Sequence, residues 1–148
     1  MKDNTMDVSL VSVRELDGGT AINRRALRRL AGNTVSVDMS VRVVPDLSHS
    51  MISLVVSCSY IAIIGLIRTR LLVCSAVATF AVDDITAHIH EHDDRGLIDS
   101  DLMSMMLGIS VGALRGIVAM RTADTPLRNH PLPIIDLSAL MRRLHFGS

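Results

Sequence analysis

Between Asp83 and Asp101 the chain places His88, His90, Glu91, His92, Asp93 and Asp94 in one short polar run. Imidazole and carboxylate are common ligands of divalent metals, and residues two apart lie on one side of an extended segment. His88, His90 and His92 are therefore a candidate set for zinc or nickel. Nothing nearby completes the set, because His130 and His145 are far off along the chain. The run reads first as a histidine-rich solvated loop leading into a helix, with metal binding as the weaker alternative.

Other chemistry is harder to assemble. Asp83-Asp84 and Asp93-Asp94 are adjacent acids, and neighbours on an extended chain point to opposite faces, so they do not form a carboxylate pair. There is no phosphate-binding glycine loop, no Gly-x-Ser-x-Gly elbow, and no local signature joining Cys58 or Cys74 to a histidine. Two cysteines are too few for a disulfide framework and fit reduced thiols in a cytoplasmic protein. The expectation is a protein that is not an enzyme and carries no cofactor. Arg24, Arg25, Arg28 and Arg29 raise the question of nucleic acid. The balance of 15 basic against 15 acidic residues, with aromatics at 2%, favours the solvated face of a surface helix instead.

The elements that position these residues follow from periodicity. A chain of 148 residues suits a single domain, 1–148, and 49% hydrophobic residues with so few aromatics imply an aliphatic, methionine-rich core. Met6 to Leu16 reads as a first strand in which Val11 and Val13 shift phase, the mark of a bulge, before a Gly18-Gly19 turn. Thr20 to Ala31 reads as a short helix capped by Thr20 and stopped by Gly32-Asn33. From Thr34 to Val44, valines and Met39 alternate with Ser36, Asp38, Ser40 and Arg42, and Pro45-Asp46 turns the chain. Met51 to Ile64 and Arg70 to Val82 make two more strands. The last is apolar on both faces, so one face would need a partner such as a second subunit. The uncharged run Leu47 to Ile67 is long enough to raise the membrane question. Its period-two pattern of Ile52, Leu54, Val56, Cys58 and Tyr60 against serines argues for a strand, and the N-terminal MKDNTMDVS lacks the apolar core of a signal peptide.

A helix follows, with Ser100 or Asp101 as its cap and Pro126 near its end. Val111, Leu114, Ile117, Val118 and Arg121 fall on one stripe, widened by Ala113 and Met120. Gly108, Gly112 and Gly116 stand one turn apart, which implies either a face approached closely by another backbone or a break near Gly108. Asp136 caps a last amphipathic helix running to Phe146, with Leu137, Leu140, Met141 and Leu144 inward.

The run ISVGALRGIVAMRT, followed by TPLRNHPLPIIDLSAL, resembles the C-terminal half of SecB-like protein-export chaperones, above all divergent, Bacteroidetes-type members. The residues that carry the resemblance are Leu114, Arg115, Gly116, Thr125, Pro126, Leu127, Leu132 and Pro133. It implies an α+β fold: a four-stranded antiparallel sheet followed by a long helix and a short C-terminal helix. It also implies a cytoplasmic homotetramer, a dimer of dimers, that binds unfolded polypeptides along apolar grooves without ATP. Met103, Met105, Met106 and Met120 are the candidate client-binding residues, because flexible thioethers adapt to varied partners. The chain departs from the family in its few aromatics and in its neutral charge. The second departure argues against SecA as a partner and for a specialised client, such as an antitoxin. No membrane insertion and no nucleic-acid partner are expected. The alternative is an oligomeric interaction or regulatory domain that holds no unfolded chains.

Overall fold

The computed structural model describes residues 8–92, 95–143 and 145–146, with backbone alone at 89–92, 95–98 and 145–146. The period-two stretches form the sheet. Strand β1 is Val8–Glu15, β3 is Val35–Asp46, β4 is Met51–Ile64 and β5 is Ile67–Val82. They lie in the order β1-β5-β4-β3 with every pairing antiparallel, so β3, β4 and β5 are a meander and β1 returns to the far side of β5. Two additions of two residues complete the sheet. Ala21–Ile22 (β2) pairs with Val73 and Leu72, and His145–Phe146 (β8) runs parallel to Arg42 and Val43. The α+β fold with its four long strands, long helix and short C-terminal helix is thus as expected.

Several local expectations change, each for a tertiary reason. The predicted helix over Thr20–Ala31 shrinks to Arg24–Leu27 (α1), capped by Asn23 rather than Thr20. Because β1 ends opposite Ala76, the edge of β5 beyond it is open, and Ala21–Ile22 fill it. Pro45 and Asp46 stay in β3, paired with Ile52 and Met51, and Leu47–His49 make the turn instead. β3 is an outer strand except where β8 reaches it, and outer strands tolerate proline. The predicted loop after β5 contains a hairpin, Ile89–His92 (β6) with Arg95–Ile98 (β7). The bulge expected in β1 is present between Leu10 and Ser12.

The long helix α2 runs unbroken from Ser100 to Thr122 across all three glycines. Three such glycines cost about 1 kcal/mol each against alanine. The opposite stripe offsets this, because Leu102, Met103, Met106, Leu107, Val111, Leu114 and Val118 are buried against β4 and β5. On the sheet they meet Ile52, Leu54, Val56 and Tyr60 of β4 and Leu72, Ala76, Ala78 and Phe80 of β5. Ser110 and Thr122, buried on the same side, donate back to the carbonyls of Met106 and Val118 at 2.7 Å each. The N-cap is Asp99, not Ser100 or Asp101, and its carboxylate contacts His88 rather than the helix end. The C-terminal helix is shorter than expected, Leu137–Met141 (α3), capped by Asp136 Oδ1, which accepts from the N–H groups of Ser138 and Ala139. Leu144 lies outside the described residues.

Candidate binding surfaces

Burial separates the candidate methionines. Met103 and Met106 are 2% and 0% exposed, so they fill the core beneath the sheet and line no open groove. Met105 is partly buried against that core, and Met120 alone is open, at 64%. The phase of α2 decides this: Val118, Leu114, Val111, Leu107 and Met103 step by three or four residues along the inward stripe.

Apart from Leu47 at the β3–β4 turn and Ile134 before α3, the remaining large exposed apolar residues gather in three places. The first is the outer face of α2, where Gly108, Ile109, Gly112, Gly116 and Met120 follow one another at helical spacing. Among the described residues, and beyond the helix's own backbone, a methyl group added at Gly112 or Gly116 would meet no atom within 4 Å, and one at Gly108 would meet Leu137 alone. The second is β1, whose Leu10, Val11 and Val13 are 40–52% exposed on a strand with no partner on its outer edge among the described residues. The third is the tip of the β4–β5 hairpin. There Gly65 takes φ +66° at the first turn position, which suits a tight II′ turn and presents Ile63, Leu66 and Ile67 to solvent. Beside this tip lies an open hollow of about 490 Å³, between Thr34 and Ser36 of the β3 side and Ile61, Ala62, Ile63 and Arg68 of the hairpin. Sequence reasoning named none of the hairpin-tip residues, although Gly65 inside an uncharged run was a signal for a turn.

The sheet face away from α2 is not the apolar surface that β5 was expected to show. Val73 and Val77 alternate there with Ser75 and Thr79, whose hydroxyls pair across the strands with Ser57 at 2.7 Å and Ser53 at 2.9 Å. On the covered face Cys58 and Cys74 stand opposite each other as free, buried thiols. Burial pushes the Cys58 thiol up to about 12 and raises that of Cys74, which keeps both protonated and unreactive. Tyr60 beside them is also pushed up to about 12 by burial.

Two polar clasps hold the helix in place. At the end of α2 the Arg121 guanidinium grips Glu15 of β1, with Nη2 donating to Oε2 at 2.7 Å, and Thr20 donates to the same carboxylate. These hydrogen bonds hold the Glu15 carboxyl below its ordinary value. At mid-helix Arg115 donates to the carbonyls of Leu132 and Pro133. Between them Thr125 donates to the Thr122 carbonyl at 2.9 Å and accepts from the Leu127 N–H, turning the chain so that Leu127 is buried.

Of the candidate metal ligands, His88 contacts Asp99 through Nδ1 at 2.8 Å. The side chains of His90 and His92 lie outside the described residues, and no group of three metal-ligating side chains occurs among those described. By length and composition α2 is long and apolar enough to cross a membrane, and it packs its inward stripe on the sheet as a core helix does.

No family model matches the chain, and no curated protein does. Solved structures do. A SecB-like chaperone of Mycobacterium tuberculosis, in complex with a ChAD peptide from the HigA1 antitoxin, superposes over 88% of this chain and 91% of its own, with a TM-score of 0.53 at 17% identity. The fold is SecB-like. At that identity the likeness speaks for architecture, and the SecB-like arrangement matches the element order found here: four long strands, long helix, short helix.

Proposed function

We propose that this chain is an ATP-independent holdase that binds unfolded or extended polypeptides through apolar grooves. The observation that carries the reading is the cluster at the β4–β5 tip. Ile63, Leu66 and Ile67 are 60%, 99% and 70% exposed beside an open hollow, within a SecB-like fold. Monomeric soluble proteins seldom leave large aliphatic side chains bare in a group unless something binds there. An extended client would lay successive apolar side chains on such sites, and many weak contacts along one chain would sum to a useful affinity. The mechanism needs no bond-making step, no cofactor and no nucleotide. A specialised client, such as an antitoxin segment, is the preferred form of the proposal, in parallel with the antitoxin peptide bound by the mycobacterial neighbour. SecA is not part of it, because the chain is neutral overall.

The same reading assigns the outer face of α2 and the free edge of β1 to self-association, as a cytoplasmic dimer of dimers. Bare glycine backbone on an exposed helix lets a second helix approach closely, and a free strand edge offers unpaired N–H and C=O groups to another copy. The test is suppression of aggregation of a denatured, reduced model protein, compared between the native sequence and Leu66→Asp with Ile67→Asp. The holdase reading expects suppression at a few-fold excess and its loss in the double variant. An assembled oligomer that suppresses nothing would instead mark an interaction or regulatory domain.

A further inference from the structure

The chain is neutral as a whole but not locally. Arg24, Arg25, Arg28 and Arg29 all project from the short α1 and its following turn, and all four are exposed. The fold brings two more to the same end. The Asn23 N–H donates to the Leu71 carbonyl and Asn23 Nδ2 to that of Arg70, which sets exposed Arg70 against the start of α1. Arg24 reaches Asp124 at 3.4 Å, which draws in the turn carrying Arg128. Asp124 is engaged by Arg24, and Asp38 by Arg68 at 3.5 Å. Among the described residues, Arg25, Arg28, Arg29, Arg70 and Arg128 have no acidic partner.

A small hollow of about 170 Å³ opens within this patch, walled by Arg24, Leu27 and Arg28 on one side and Asp124, Thr125 and Pro126 on the other. Its volume suits one aliphatic side chain. Guanidinium groups recognise carboxylates by paired, charge-assisted hydrogen bonds, so uncompensated arginines around a notch of mixed lining, in which Leu27 and Pro126 are the apolar walls, fit carboxylates flanking an apolar residue. A nucleic-acid strand fits less well. Tyr60 and Phe80 are buried and offer no ring for base stacking, and α1 is too short to occupy a groove.

We propose that this arginine end is a docking surface for an acidic peptide segment of a partner protein, with one aliphatic side chain seated between Leu27 and Pro126. It goes beyond the holdase reading, because it is set by charge and is centred on α1 and the Asp124–Pro126 turn rather than on the Ile63, Leu66 and Ile67 tip.

The test is fluorescence anisotropy with a labelled peptide of about twelve residues, glutamate and alanine with a central leucine. A glutamine-for-glutamate version and a single-stranded RNA of equal length serve as comparisons. The Glu peptide should bind in low salt and weaken as salt rises, and the Gln peptide should bind at least about tenfold more weakly. Arg28→Glu with Arg29→Glu should cost at least about tenfold, while Arg42→Glu with Arg142→Glu, the same charge change elsewhere, should leave binding within about twofold. If the reversed pair folds poorly by circular dichroism, Arg28→Gln with Arg29→Gln should show a smaller loss in the same direction. Equal binding of the Glu and Gln peptides, no binding of either, indifference to the Arg28 and Arg29 changes, or tighter binding of RNA than of the Glu peptide would each overturn the proposal.

Discussion

Arg115 Nε donates to the backbone carbonyl of Leu132 at 3.1 Å, joining the middle of α2 to a segment 17 residues further on. Its Nη2 makes the matching bond to Pro133 at 3.0 Å. The Leu-Arg-Gly and Leu-Pro elements that carry the SecB resemblance are therefore one structural device, a guanidinium clamp on a chain with few regular hydrogen bonds of its own. Lysine cannot reproduce the fork. Arg115→Ala should lower unfolding stability by about 1–3 kcal/mol, the range for hydrogen bonds to a charged group, and Arg115→Lys should recover little of it. Urea titration gives the number, and hydrogen exchange of the Leu132–Asp136 amides should rise in both variants. Unchanged exchange would mean that the segment is held by Leu132 packing alone.

Tyr60 presents the opposite case. It is fully buried, and its hydroxyl has no hydrogen-bond partner among the described residues. A buried unpaired hydroxyl costs roughly 1–3 kcal/mol, so deleting it should not hurt. Tyr60→Phe is expected to be neutral or to raise stability by up to about 1 kcal/mol, read from the denaturant midpoint. A clear loss would mean that the hydroxyl has a partner in the assembled protein.

Alkaline pH should expose the same core. Burial raises Cys58 and Tyr60 to about 12 and lifts Cys74 as well. Native groups with raised values stay protonated where the unfolded chain has already ionised. Their stabilising contribution is full below the ordinary thiol and phenol values and is lost as pH climbs towards 12. Each proton released only on unfolding steepens the decline by about 1.4 kcal/mol per pH unit. Unfolding free energies measured from pH 8 to pH 11 should fall, and Cys58→Ala with Cys74→Ala should flatten the thiol part of that fall. The native thiols should react with a disulfide reagent only as fast as the protein opens.

At the acid end the Glu15–Arg121 clasp works in reverse. The Arg121 hydrogen bonds hold the Glu15 carboxyl below its ordinary value, so its contribution is present above the unfolded carboxylate value and lost as pH falls through the depressed one. Glu15→Gln should therefore reduce stability at pH 7 and converge with the native sequence near pH 3. Salt should narrow the gap at pH 7, because Arg121 is half exposed.

The glycine face of α2 gives a prediction that separates helix from assembly. A methyl group at Gly112 or Gly116 meets no atom of another element among the described residues, so Gly112→Ala should stabilise an isolated subunit by about 1 kcal/mol. Gly112→Arg should leave the subunit folded by circular dichroism but reduce the mass measured by light scattering. An unchanged mass would remove α2 from the interface.

How much of this could be read from the residues depends on where the deciding interaction lies. β4 was legible to its ends, Met51 and Ile64, because alternation and the flanking turns are local properties. The bulge in β1 showed as a phase shift at Val11. The shortening of α1 was not legible, because the open edge of β5 that recruits Ala21–Ile22 is made by a strand far away in sequence. The β6–β7 hairpin was hidden by polar residues that follow no clean period. Met103 and Met106 were misplaced although the signal existed: extending the Val118-Leu114-Val111-Leu107 stripe backwards puts Met103 inward. The exposed tip at Leu66 depends on a turn whose location in space only the sheet register supplies.

The central claim is that the exposed apolar residues hold an unfolded chain. Light scattering on a sizing column, with the protein run alone and then with a reduced, unfolded client, tests it most directly. The account predicts an oligomer that carries the client through the column at a mass equal to their sum. A monomer that elutes at the same mass with and without the client would contradict it.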